Sequence, residues 1–229
     1  MISLLTTLFL FLFIPFGPLQ VVRVDSELLF VVALEGMFLS ALLLENEISD
    51  KVSRVRNART GVQMLNLKLL ITLALLSPGF VAGTFNFEKL VNWQLKHHWL
   101  VFYLPVNFAV FLIYTVEKLK TITKFYANHS RGSFVISILG KYANITLMAL
   151  VASVIFLGGW SGPFSRVPFV GVTYEFLKAG GILVLTFWFK KRFPYLRFDQ
   201  ALTVNWKILL PASLINLLVI FFLKLFVKG

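Results

Sequence analysis

The sequence predicts an all-α integral membrane protein with about seven transmembrane helices and its basic loops on one face. Three observations predict it. Of the 229 residues, 58% are hydrophobic and only 14% are charged, and the mean hydropathy is +0.83. That balance does not suit a soluble domain. Several apolar runs approach the ~20 residues needed to cross ~30 Å of hydrocarbon. Lysine and arginine then alternate between rich and poor loops. Residues 46–63, 117–133 and 190–203 hold four each, whereas the loops between them hold one (Arg23), two (Lys89, Lys96) and one (Arg166). Positively charged loops stay on the inner side of a membrane, so the N-terminus is expected inside and the C-terminus outside.

The expected spans form a single transmembrane domain over residues 1–229. Residues 2–16 form a short first span; they lack the basic start and small-residue cleavage site of a signal peptide. Residues 28–44 form the second, and a polar stretch follows. Residues 64–81 form the third. Residues 99–116 form the fourth, between Lys96-His97-His98-Trp99 and Glu117-Lys118. The fifth, sixth and seventh are 134–157, 172–189 and 206–227. The pairs Gly158-Gly159 and Gly180-Gly181 are expected at a turn or a close helix contact.

The same residues exclude several chemistries. The chain has no cysteine, so it holds no iron–sulfur cluster or thiolate metal site by itself. Its three histidines offer too few ligands for a metal; His97 and His98 beside Trp99 read as an interfacial anchor on the outer side. Most of the net charge of +12 lies in the inner loops, where it attracts anionic lipid or an acidic partner. No polar domain exists to dock a nucleic acid. There is no Gly-rich fingerprint or Walker sequence, so no nucleotide is bound here. Asn128-His129-Ser130 has the form of a glycosylation acceptor but falls on the inner side.

The residues richest in pattern are 190–211, KKRFPYLRFDQALTVNWKILLP. By charge alone they are a positive inner loop. Their order, with Pro194, Arg197, Phe198, Asp199, Gln200, Trp206, Lys207, Leu210 and Pro211, resembles subunit 1 of the proton-pumping NADH:ubiquinone oxidoreductase, respiratory complex I. The family pattern there is Pro-Arg-aromatic-Arg-Tyr-Asp-Gln-Leu-Met, then Trp-Lys and Leu-Pro, with Phe198 standing for the tyrosine. Further phrases extend the likeness over nearly the whole chain: FIPFGP at 13–18, ELLF at 27–30, RTGVQM at 59–64, KYANI at 141–145 and FLGGW at 156–160. Each is weak alone, and they are specific in this order and spacing.

The resemblance implies a membrane-arm core subunit at the junction with the hydrophilic arm, in the mitochondrial inner membrane or, alternatively, a bacterial cytoplasmic membrane. Ubiquinone is the implied substrate at the subunit interface, with flavin and iron–sulfur clusters on partner subunits and no catalysis by this chain alone. Arg59, Gln63, Glu117 and Lys120 become quinone-chamber candidates. Arg59 and Gln63 stand at i and i+4 on one helix face, although Arg59 is equally well a plain inner-side anchor. Arg197, Asp199 and Gln200 become the arm-docking loop, where the simplest reading of Arg197 and Asp199 is a local ion pair. The family has eight spans and this chain starts at the second; the first is expected to be lost or carried on a separate polypeptide.

The departures from the family pattern are chemical. The family's acidic loop, Glu-Thr-Asn-Arg-x-Pro-Phe-Asp-Leu-x-Glu, is represented by VEKLKTITKFYANHSRGSF. Glu117 keeps its place and Lys120 stands for the arginine; about eleven residues and the other acids are gone. Two family glutamates fall on Lys68 and Lys141, while Glu35 is an acid where the family has a small neutral residue. Ionisable groups inside a membrane face the bundle interior and pair with one another. Glu35, Lys68, Lys141, Glu175 and Lys178 are thus either structural ion pairs and snorkelling lysines or a rewired proton path. Two other functions stay open: the membrane anchor of a related energy-converting hydrogenase, and a structural scaffold that kept the fold and lost the quinone chemistry.

Overall fold

The computed structural model describes residues 51–124, 131–162, 168–192 and 198–228, with isolated positions between 7 and 31. The described residues are helical, without a strand. In chain order the helices are α1 (Lys51–Ala82), α2 (Phe87–Lys96), α3 (Leu100–Tyr103), α4 (Pro105–Lys124), α5 (Arg131–Leu157), α6 (Pro168–Arg192) and α7 (Phe198–Val204). A π-turn (Asn205–Leu209) then leads into α8 (Leu210–Lys228). Among the described residues two helices, Phe169–Arg192 and Leu202–Phe222, are long and apolar enough to cross a membrane, and Lys68–Ala82 with Phe87–Lys96 form a pair bent by 58°. The first two expected spans lie almost wholly outside the described residues.

Several helices run past the expected spans. α1 begins at Lys51, inside the polar stretch, and α6 continues through Lys190, Lys191 and Arg192. Lysine and arginine are good helix formers, so hydropathy marks the part suited to lipid while the helix itself goes on. The fourth span is broken. Leu104 precedes a proline, which disfavours helical backbone; its φ is −122° and ψ 52°. Pro105 then opens α4, where its missing N–H costs nothing.

α5 forms the core. Every residue from Leu147 to Phe156 is buried, the mark of a helix enclosed on all sides. Phe108 and Phe111 of α4 meet Phe156 with ring centroids 5.3 and 6.0 Å apart. α6 turns a stripe of Glu175, Ala179, Ile182 and Thr186 inward and packs on α5 and α4. α8 packs on α1 and α4 but exposes Leu214, Ile215, Leu218, Val219, Phe221 and Phe222. Such a face belongs against lipid or another apolar helix rather than water.

The expected outer loop after the third span contains α2. α1 ends at Gly83, whose φ of +73° is the left-handed conformation glycine adopts without strain. Asn86 caps α2: its Oδ1 accepts from the Glu88 and Lys89 amides at 3.0 and 3.3 Å. Phe87, Leu90, Val91 and Gln94 form the buried stripe. The signal was present in the sequence as an Asn cap, an early Glu and apolar residues at helical spacing.

Gln94 fastens this bent helix to the core. Its Nε2 donates to the carbonyls of Val154 (3.2 Å) and Ile155 (3.0 Å), and its Oε1 accepts from the Leu100 amide (3.2 Å). The last four carbonyls of a helix lack partners within it, and Gln94 supplies two of α5's. Gln94→Leu is expected to destabilise the protein by about 2–4 kcal/mol, from lost hydrogen bonds and stranded carbonyls. Faster hydrogen exchange confined to residues 87–104 and 150–160 would be the readout; unchanged exchange there would refute the anchoring role. Beyond α5, Gly158 and Gly159 have φ of +73° and +46°, so the expected turn is present. Gly180 and Gly181 differ: both lie within α6, and a Cβ on either would meet nothing within 4 Å.

α7, the π-turn and α8 follow one another without a break. Pro211 explains the π-turn. It has no N–H to offer and its ring crowds the preceding turn, and the turn widens so that the Leu210 amide reaches back five residues to the Asn205 carbonyl.

Candidate functional site

Two groups of polar side chains, buried or half-buried, stand in this apolar bundle, about 20 Å apart along α5 at 1.5 Å per residue. The first joins α1, α4 and α5. Lys118 of α4 donates from Nζ to Asn144 Oδ1 of α5 and, at 3.4 Å, to the Tyr114 hydroxyl one turn earlier. The same ammonium lies 5.5 Å from the Tyr114 ring centroid. Lys68 of α1 is near enough for its charge to act on Lys118. Lys68, Tyr114, Glu117 and Asn144 are all buried. An ammonium, a phenol and an amide thus meet between α4 and α5, with Lys68 of α1 acting on them by charge and Glu117 buried next to Lys118 in sequence. A low-dielectric setting makes such a set responsive to any charge that arrives.

The second group sits at the end of α5. Lys178 of α6 donates to the carbonyls of Leu157 (2.8 Å), Gly159 (2.8 Å) and Ser161 (2.7 Å), and to Ser161 Oγ (3.3 Å). Glu175, three residues earlier on α6 and fully buried, interacts with it electrostatically. The ammonium also lies 5.4 Å from the Trp99 ring centroid. A cation at a helix C-terminus is favourable against the macrodipole. With Gln94 on Val154 and Ile155, three of α5's last four carbonyls have side-chain donors.

The expected site residues therefore divide. Lys68 and Glu117 belong to the first group; Glu175 and Lys178 belong to the second. Glu35 and Arg197 lie outside the described residues. Arg59 and Gln63 lie on α1, Lys120 on α4, Lys141 on α5 and Asp199 on α7, but their side chains are also outside the described set. Gln200 is exposed on α7. Lys118, Tyr114 and Asn144 had no place among the candidates. Asn144 lies in the KYANI phrase beside the more conspicuous Lys141, and Lys118 flanks the expected fourth span. Asn205 is a further addition: it is buried on the π-turn, and its Nδ2 has no hydrogen-bond acceptor among the described residues. The π-turn and α7 both pack on α1. Among the described residues, no group of three His, Asp or Glu side chains is placed to hold a metal.

Comparison with known proteins follows the same outline. A model of the NADH dehydrogenase family matches residues 1–123 and 122–221. A subunit of the NADH-quinone oxidoreductase of Protochlamydia amoebophila is 27% identical over 241 residues, covering 95% of this chain and 73% of its own. A subunit of the NADH-quinone oxidoreductase of Syntrophobacter fumaroxidans is 29% identical over 237 residues, covering 93% and 70%. The NADH-quinone oxidoreductase subunit 8 of Thermus thermophilus is 28% identical over 240 residues, covering 96% of this chain and 65% of its own length. The two matched pieces meet at residues 122–123, inside the stretch 117–133, which holds the single acid Glu117.

Proposed function

The chain belongs to the NADH dehydrogenase family, and from that premise we propose that it is subunit 1 of respiratory complex I, forming part of the quinone chamber where the hydrophilic arm meets the membrane arm. The observation that carries the proposal is a family match running through both halves of the chain, up to residue 221. The whole complex performs NADH:quinone oxidoreduction coupled to proton translocation. Its subunits on the hydrophilic arm supply the flavin and iron–sulfur chemistry that delivers electrons. This chain's share is positional and protonic.

Reduction of a quinone consumes protons where the headgroup lies. The buried set of Lys68, Tyr114, Glu117, Lys118 and Asn144 supports a role in holding and passing them. The Asn205 amide supports the chamber reading, because a quinone carbonyl is an acceptor of the kind its Nδ2 lacks among the described residues. Arg59 and Gln63 share α1 with Lys68 and line the mouth of the chamber. Arg197, Asp199 and Gln200 dock the soluble arm. Seven spans, basic face inward, complete the architecture in the mitochondrial inner membrane, with a bacterial cytoplasmic membrane as the alternative.

One observation favours a second reading, a scaffold without quinone chemistry: residues 117–133 hold a single acid, Glu117. Native electrophoresis of solubilised membranes, with mass spectrometry of the band holding this chain, tests the assignment. Flavin and iron–sulfur subunits in a large NADH-oxidising band are expected. A chain that runs alone, or with a nickel–iron protein, would overturn it. Crosslinking of a quinone-site blocker to this chain separates the chamber from the scaffold.

A further inference from the structure

The bent helix α2 and the residues after it carry a surface that the quinone reaction does not use. Lys89, Asn92 and Lys96 are exposed on α2, and their spacing sets them on one stripe. His97 and His98 follow, also exposed. Beside these polar groups stand apolar ones open to the surroundings: Leu95 is 51% exposed, Trp99 42% and Phe102 72%. The Trp99 and Phe102 rings lie stacked, 6.3 Å apart and 7° from parallel. Trp93 stacks on His97 at 4.2 Å.

Neither water nor hydrocarbon suits this mixture. Water would leave Phe102 and Trp99 uncovered; hydrocarbon would strip the lysines of solvation. The zone that suits both is the headgroup layer, where tryptophans gather and lysines reach for phosphate. The 58° bend lays α2 across the direction of α1, the attitude of a helix lying in an interface. Of the loops expected on the outer face this one holds the most lysine, two against one arginine in each of the others, and two histidines follow within the same ten residues, beside the single acid Glu88. Gln94 and Lys178 hold the platform beneath, through α5's carbonyl end and the Trp99 ring.

We propose that α2 and the Trp99–Phe102 step form a binding site for an anionic phospholipid on the outer leaflet, with Lys89 and Lys96 on the phosphate and Trp99 and Phe102 along the upper acyl chain. This rests on the membrane topology proposed above. The site would fix a lipid at the face opposite the arm-docking loop.

The test uses the assembled complex in vesicles of phosphatidylcholine containing a photoreactive phosphatidylglycerol or, separately, a photoreactive phosphatidylcholine. Labelled peptides are then mapped. The anionic probe is expected to label residues 87–104 above the zwitterionic probe, by about fivefold for each lysine at the surface. The Lys89→Gln/Lys96→Gln variant is expected to erase that preference, with α6 labelled as before. Raising the salt should erode the wild-type preference as well. Equal labelling by both probes would leave only an apolar contact and overturn the proposal. Absence of label on 87–104 while α6 is labelled would mean that a protein partner covers the surface, and would overturn it too. Absence of label along the whole chain would instead strike the topology, and this site with it.

Discussion

Replacing Lys178 by methionine is expected to prevent most of the protein from assembling. Methionine matches the aliphatic stem and removes only the ammonium. Three backbone carbonyls, of Leu157, Gly159 and Ser161, lose their donor at 2.7–2.8 Å. The surroundings are an apolar bundle in which water is a poor substitute. Hydrogen bonds to a charged group contribute about 1.5–3 kcal/mol each and are not additive. Removing one partner of a fully buried charged set costs about 3–5 kcal/mol; Lys178 is half-buried, and the lower end of that range is still a large part of the stability of any domain. The substitution also takes away the cation that faces Glu175. Native electrophoresis should show the assembled band reduced by about tenfold or more. Lys178→Arg should retain part of it, and Glu175→Gln added to Lys178→Met should recover part. Normal assembly of Lys178→Met would refute the structural role and return Lys178 to the proton path.

The second large effect is on turnover. Glu117→Gln keeps shape and removes the ability to hold and release a proton. Glu117 is buried, next in sequence to the Lys118 ammonium that Asn144 and Tyr114 hold. It is the one acid in residues 117–133. General acid–base groups contribute factors of about 10²–10⁴. Other routes for protons temper that figure, so a loss of about tenfold or more in NADH:quinone activity is expected. The complex should stay intact on native gels, and NADH oxidation with an electron acceptor that bypasses the quinone should be unchanged. Full quinone activity in the variant would remove Glu117 from the proton path.

The elements were legible to the degree that each was local. Composition and the alternation of basic loops pointed to an all-helical membrane protein, and the phrases from FIPFGP to LLP pointed to the family. The resemblance also marked Lys68 as a reversed charge in the third span. What Lys68 meets was not legible. Its charge acts on Lys118, fifty residues later on α4, and no periodicity within a helix reports which helices adjoin. Lys178 illustrates the same limit. As a charge in a hydrophobic run it is open to both a structural and a proton-path reading, and its partners are backbone carbonyls, which every residue has and no sequence distinguishes. α2 was missed for another reason: its cap and stripe were readable, but a search for apolar runs of membrane length passes over a ten-residue helix.

The widened turn at Asn205–Leu209 has an angular consequence. An α-helix advances about 100° per residue, so one extra residue in a turn rotates the segment on one side of it by about that amount relative to the other. Phe198–Val204, with Asp199 and Gln200, is therefore phased independently of α8. The end proposed to meet the soluble arm and the face turned outward in the bundle need not share an azimuth. Deleting one residue from the turn would leave charge, hydropathy and the seat of α8 almost unaltered. It would swing Asp199 and Gln200 by more than a quarter of a revolution, and the two ends of one continuous helix would then address different neighbours.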